Sequence, residues 1–325
     1  MLELRVTADA AGQRLDKYVR RALRDVPLSH VYKMLRTRKV RVNGLRGRGE
    51  QLLAEGDLVV IRGDEEKLLG PREEAPGRAP ASAAGGPRFS VLYQDDAILA
   101  VSKPAGLAAH PGTGIEGATL VEEARAFLGA GAVPPGEFRP SPAHRLDRET
   151  SGVVLVARTR KAMVRLTEIF TDGREVRKTY LALCKGKMPR DTGTIDIPLA
   201  EHEQTARSKE RHGVKLQEAV THYQVVSSMK EASLLSVRIE TGRTHQIRRH
   251  LQAAGHPVAG DRRHGDFPFN RQAKQRWGLS RMFLHAWKLS LPHPLTGARL
   301  SLVAPLPEEL RAALSRMNLR APPGS

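Results

Sequence analysis

Residues 64–87 constrain this chain more than any other segment. They open on acids and then run PREEAPGRAPASAAGGP, a stretch of Pro, Gly and Ala with almost nothing able to bury apolar surface. Such a composition is expected to form a flexible linker over 64–88. It divides the 325 residues into a small unit, 1–63, and a large one, 89–325. Each is long enough to hold a core of its own.

In the small unit, Leu15, Tyr18, Val19, Ala22 and Leu23 recur at helical spacing. Pro27 ends that helix, and Ser29 is the expected N-cap of a second one carrying Val31, Met34 and Leu35. Val40 and Val42 alternate like a short strand, Asn43-Gly44 marks a turn, and 58–61 reads as a further strand. Lys33, Arg36, Arg38, Lys39, Arg41, Arg46 and Arg48 cross this scaffold without one intervening acid. A charge run is ordinarily a solvated face. Seven cations together repel one another, however, and favour an anionic partner.

The whole chain points the same way. Lys and Arg number 53 against 35 Asp and Glu, a net charge of +18. Nucleic acid is the first expectation for the partner and an anionic membrane the second. No apolar run approaches the ~20 residues that span a bilayer, and the first ten residues lack the pattern of a secretory leader. A membrane protein and a secreted one are therefore not expected. One cysteine, Cys184, can form neither an intrachain disulfide nor a thiolate cluster, which suits a reducing cytoplasm.

The large unit shows strand patterns at 91–93, 98–101, 153–157, 180–184 and 234–239, and helical ones at 119–128, 161–170 and 244–254. They do not alternate regularly, so an α+β fold is expected rather than a doubly wound sheet. Its most informative string is HRLDRETSG, residues 144–152, leading into the apolar strand. Flanking arginines favour an ionised Asp147, fit to act as nucleophile or general base. Taken alone, an N-cap or ion-pair aspartate is the better reading, since it describes most aspartates.

The surrounding blocks extend the pattern. LYQDDAILAVSKPAGLAAHPG lies upstream, with RKTYLALCKG, TGRTHQIRRHLQAAGHPVAGDRRHGD and RMFLHAWKLSLPHPLTG downstream. In this order they resemble the RluA-type pseudouridine synthases over nearly all of 89–307. The GDRRHGD segment, with the following FN and GLSRMFLHA, is most similar to the RluC branch, which acts on large-subunit ribosomal RNA. Residues 12–61 resemble an S4-type RNA-binding domain on RLDKYVRRAL, LSHVYKMLRTRKVRVNG and LLAEGDLVVI.

The resemblance implies a mainly antiparallel catalytic sheet behind a small S4-like domain, probing RNA without cofactor as a monomer. It implies that Asp147 is the essential carboxylate, either attacking C1′ or removing the 2′ proton, with Arg248 as its ion-pair partner. Tyr180 would stack on the target uracil, its hydroxyl helping at the C5 proton, and Leu284 would wall the base pocket. Arg145 would hold the flipped nucleotide. Arg177 and Lys178, with Lys33, Arg36, Arg38, Lys39 and Arg41, would contact RNA. Each has a plainer reading: core packing for Tyr180 and Leu284, surface charge for the cations.

Other chemistries find no pattern here. His245 and His250 lie five apart with no His-Glu-x-x-His around them, so no metal site is expected and His245 is assigned to orienting Arg248 or the nearby backbone. GxxxxGK[ST] and Gly-x-Ser-x-Gly are both missing, against nucleotide triphosphate use and a serine hydrolase. A silent RNA-binding or ribosome-assembly protein on the same scaffold is the alternative. Retention of Asp147, Tyr180 and Arg248 favours the enzyme. Residues 211–220, where the family varies, match nothing specific.

Overall fold

The computed structural model describes the chain apart from residues 24–25, 65–67, 69–85, 113–114, 116, 131–132 and 201–215. Most of the expected linker therefore lies outside the described residues, as does half of the 211–220 segment.

The amino-terminal lobe contains β1 (Leu2–Arg5), α1 (Leu15–Ala22), α2 (Leu28–Arg36), β2 (Val40–Val42), β3 (Leu45–Arg46) and β4 (Leu58–Ile61). Its strands form an antiparallel sheet in the order β1-β4-β2-β3. The stripe Leu15, Tyr18, Val19, Ala22 and Leu23 is buried against Val31, Met34 and Leu35. Each fully buried Leu, Val or Met among them stabilises the lobe by roughly 1.5–3 kcal/mol. Leu68, beyond the expected boundary at 63, completes this core. Ser29 is not the N-cap of α2. The helix begins at Leu28 with Pro27 in the cap position, where a residue without an N–H sacrifices no hydrogen bond.

The larger lobe is built on β5 (Ser90–Gln94), β6 (Ile98–Lys103), α3 (Leu120–Phe127), β7 (Ser141–Pro142), β8 (Ser151–Ala157), α4 (Arg160–Asp172) and β9 (Arg177–Lys185). It continues through β10 (Thr192–Asp196), β11 (Leu199–Ala200), β12 (Leu216–Gln217), β13 (Val220–Ser228), β14 (Ala232–Ile239) and α5 (Gln246–Ala253). The final elements are α6 (Phe267–Trp277), β15 (Leu284–Pro292), β16 (Arg299–Val303) and α7 (Glu308–Arg316). A ten-stranded sheet runs β10-β13-β14-β9-β15-β8-β6-β5, with β16 on β15 and β7 on β8. Every pairing in it is antiparallel except β8 with β15. The architecture is α+β, with a mixed, mainly antiparallel sheet.

The apolar run 153–157 is buried on both faces. Val153 and Leu155 meet Ala162 and Leu166 of α4, while Val154 and Val156 meet Leu120 and Ala124 of α3. The two parallel strands touch only at their entrances, His285 beside Ser151 and Ala286 beside Gly152. Gly152 has φ +122°, and a Cβ there would lie 2.2 Å from the Ala286 carbonyl oxygen. Only glycine allows this approach, and it seats the residues preceding β8 beside those opening β15.

The lobes also touch directly. Asp9 Oδ1 accepts the Arg160 N–H at 2.8 Å, at the start of α4, and Arg160 Nε returns to the Asp9 carbonyl at 2.9 Å. Thr7 donates to Glu137 at 2.5 Å.

Candidate active site

Asp147 occupies a turn closed by the Thr150 N–H donating to its carbonyl at 3.0 Å. Buried Leu146 and Thr150 anchor the turn on either side. Behind it, the fully buried Lys103 ammonium donates to the carbonyls of Pro104, Leu107 and Arg148 at 3.0, 2.8 and 3.1 Å. Burial pulls its pKa down to about 7, while three acceptors matched to three N–H groups favour the cation. Lys103 therefore pins the residue that follows Asp147.

The partner of Asp147 comes from α5. Arg248 Nη1 donates to Asp147 Oδ2 at 3.0 Å, while Nε and Nη2 grip Asp261 side-on at 2.6 and 2.9 Å. The Asp261 carboxylate is wholly buried and accepts two further N–H groups, from Arg263 and His264, at 2.9 and 3.0 Å. Burial pushes its pKa up, but Arg248 and these amides hold it below the usual carboxylate range. Burial also opposes the charge of Arg248, and its two carboxylates more than offset that. One carboxylate thus locks the guanidinium, which presents its remaining edge to the other. Asp147 Oδ1 makes no hydrogen bond among the described residues.

Helix α5 starts later than the spacing predicts, because His245 adopts a left-handed φ of 53° just before it. That turn brings His245 Nε2 to 3.7 Å from Asp147 Oδ2. Its Nδ1 lies 3.1 Å from His264 Nε2. Gln246 fastens the same loop, accepting from Thr241 and the Arg243 N–H and donating to Val220 and Thr221.

Tyr180 stands on β9, between Val237 of β14 and Ala286 of β15. Burial first, and the Asp147 charge second, push its phenol pKa well above the ordinary value. Arg145, Asp147, Tyr180, Arg248 and Leu284 all line one cleft of about 110 Å³, with Ile239 and Ile247 extending its apolar wall.

The other cations lie elsewhere. Lys178 shares the Tyr180 face of β9 by alternation, its ammonium 5.2 Å above the Phe170 ring. Arg177 is exposed and falls on the opposite face. Lys33, Arg36, Arg38 and Lys39 are exposed on the amino-terminal lobe, and Arg41 is half-buried. None of these seven lines the cleft. Asp261 and Lys103 are the residues that sequence reasoning left without a role. Among the described residues, no group of three His, Cys, Asp or Glu is placed to hold a metal, and no helix is long and apolar enough to cross a membrane.

Comparison with known proteins identifies the class. Residues 97–253 match the family model for RNA pseudouridylate synthase, and the chain belongs to that family of isomerases. It is 38% identical to the ribosomal large subunit pseudouridine synthase C of Escherichia coli K12 over 316 residues, 96% of this chain and 95% of that protein. The protein of the same description from Vibrio cholerae is 35% identical over 312 residues, again 96% of this chain and 95% of the relative. Among solved structures, human RNA pseudouridylate synthase domain containing 4 superposes with a TM-score of 0.58 at 28% identity, covering 72% of this chain and 94% of that one.

Proposed function

We propose that this chain isomerises uridine to pseudouridine in large-subunit ribosomal RNA, with Asp147 as the reacting carboxylate. One observation carries the reading: Asp147 is held by Arg248, itself locked on buried Asp261, at the mouth of a cleft walled by Tyr180 and Leu284. The relatives named for the large ribosomal subunit, aligned over 96% of the chain, support the choice of RNA.

The chemistry follows from the parts. Uridine must leave its stack, at a cost of a few kcal/mol, and Arg145 on the cleft wall suits the flipped state. The uracil lies on Tyr180, whose raised pKa offers a neutral ring and hydroxyl rather than a phenolate. Asp147 Oδ2 is occupied by Arg248, leaving Oδ1 toward the sugar. It either forms a bond to C1′ or takes the 2′ proton as the N1–C1′ bond breaks. After the base turns, C5 bonds to C1′ while the aspartyl–C1′ bond breaks or the proton returns to C2′. The C5 proton is lost as N1 takes one up. The amino-terminal lobe acts as an S4-like grip on phosphates through Lys33, Arg36, Arg38, Lys39 and Arg41. The protein works as a monomer, without cofactor, in the cytoplasm. The buried, unpaired Cys184 suits such a reducing setting.

Sequencing of large-subunit RNA after chemical tagging of pseudouridine, with and without the protein, tests the assignment. Asp147→Asn should abolish the new tag, a loss of at least about 10³-fold in rate, with RNA affinity retained. Turnover near wild type in that variant would overturn it.

A further inference from the structure

A second cavity, of about 330 Å³, lies against the first, and Asp147, His245 and Arg248 line both. Four more arginines line it: Arg148, Arg262, Arg263 and Arg281. The acids on its wall are Asp147, Glu149 and Asp261, so five arginines face three carboxylates. Asp261 is already consumed by Arg248 and two backbone amides. Glu149 stands 3.9 Å from Arg148, with both side chains more than half exposed.

Arg281 is the unusual member. Its side chain is only 12% exposed, yet its buried Nε and Nη1 have no hydrogen-bond partner. Nη2 donates to Ser151 Oγ at 2.7 Å, and the nearest carboxylate, Glu309, is 3.5 Å from Nε and half exposed. Ser151 in turn meets His285 Nδ1 at 2.9 Å, whose Nε2 donates to the Ala304 carbonyl at 3.0 Å. The Arg281 pKa is lowered by burial that Glu309 and Glu149 only partly offset. A buried guanidinium short of negative charge, in a wall of arginines, is a setting that an anion completes.

We propose that this second cavity is a backbone-phosphate subsite, holding a phosphodiester that flanks the nucleotide whose sugar lies at Asp147. The inference rests on the isomerase reading for the position of the sugar, but not for the presence of the anion site. Because Asp147, with His245 and Arg248, lies between the two cavities, a nucleotide with its base on Tyr180 sends its backbone past Asp147 into the arginine-lined side. Arg262 and Arg263 form its exposed rim, and Arg281 its buried floor.

The test uses the full-length protein and a transcript of large-subunit ribosomal RNA. Arg262→Gln with Arg263→Gln changes exposed residues only, and an unchanged melting temperature checks the fold. The double variant should bind roughly tenfold more weakly, with a slope of log affinity against log salt shallower by about 0.7, the share of one single-strand phosphate. A short synthetic RNA carrying the tagged uridine then receives one methylphosphonate at a time. At one flanking linkage, the neutral group and the double variant should each weaken binding yet weaken it little further together. Unchanged affinity and slope, or losses that multiply at every linkage, would overturn the subsite. A transcript that binds with the expected slope change but is never converted would sink the isomerase reading and leave the subsite standing.

Discussion

The basic face of the amino-terminal lobe and the cation in the cleft use the same residue types under opposite conditions. Lys33, Arg36, Arg38 and Lys39 are exposed and keep their hydration, so each is interchangeable with its neighbour and sensitive to salt. Arg248 is buried, shared between two carboxylates and fixed in one rotamer by Asp261. The first arrangement can follow an RNA backbone of any sequence. The second can do only one thing, orienting one carboxylate. In the proposed reading, location in a low-dielectric site, rather than number of charges, separates grip from chemistry.

That contrast can be broken experimentally. Arg248→Met leaves Asp261 buried without its cation, and stability should fall by about 3–5 kcal/mol in urea unfolding. Pseudouridine formation should vanish with it. A variant as stable as wild type would show that Asp261 has another partner.

A pH series sharpens the burial argument on a different group. His285 is fully buried, and desolvation lowers its pKa from 6.5 to about 4. The unfolded chain then binds the proton that the folded one refuses, so the stability associated with this residue is complete above pH 6.5. It declines as pH falls toward 4, by about 1.4 kcal/mol per pH unit. Other buried histidines, His144 above all, are also shifted down. Urea midpoints between pH 7 and 4.5 are therefore compared for wild type and His285→Gln, and an identical slope in the two would refute it.

The smallest effect belongs to the exposed face. Lys39→Gln with Arg41→Gln should weaken RNA binding by roughly tenfold and flatten the salt slope by about 1.4, two single-strand phosphates, without changing the melting temperature. An unchanged slope would remove this face from the interface.

What was legible in sequence was local. The turn and strand around Asp147 were readable because they are contiguous, though its catalytic role came only with the ordered blocks along 89–307. The stripe Leu15 to Leu23 was readable because helical spacing repeats within two turns. Strand β8 was readable for the same reason. Asp261 was not, since an aspartate 13 residues beyond an arginine acquires a role only when α5 and the following loop fold together. Lys103 likewise reads as an ordinary surface lysine until three carbonyls close over it. Strand β1 is four residues long, too short for its alternation to stand out. The register that sets Ala286 on Gly152 exists only in the assembled sheet. Ser29 had the right chemistry for a cap and lost to the rigid backbone of Pro27.

The contact of Asp9 with Arg160 has a consequence for overall affinity. A lobe joined only through a loose tether would present RNA to the cleft at a concentration set by the slack of the chain. With Asp9 docked on the first residue of α4, that local concentration is fixed by geometry. Under the proposed reading, the two weak attachments would then act on one RNA as a single strong one.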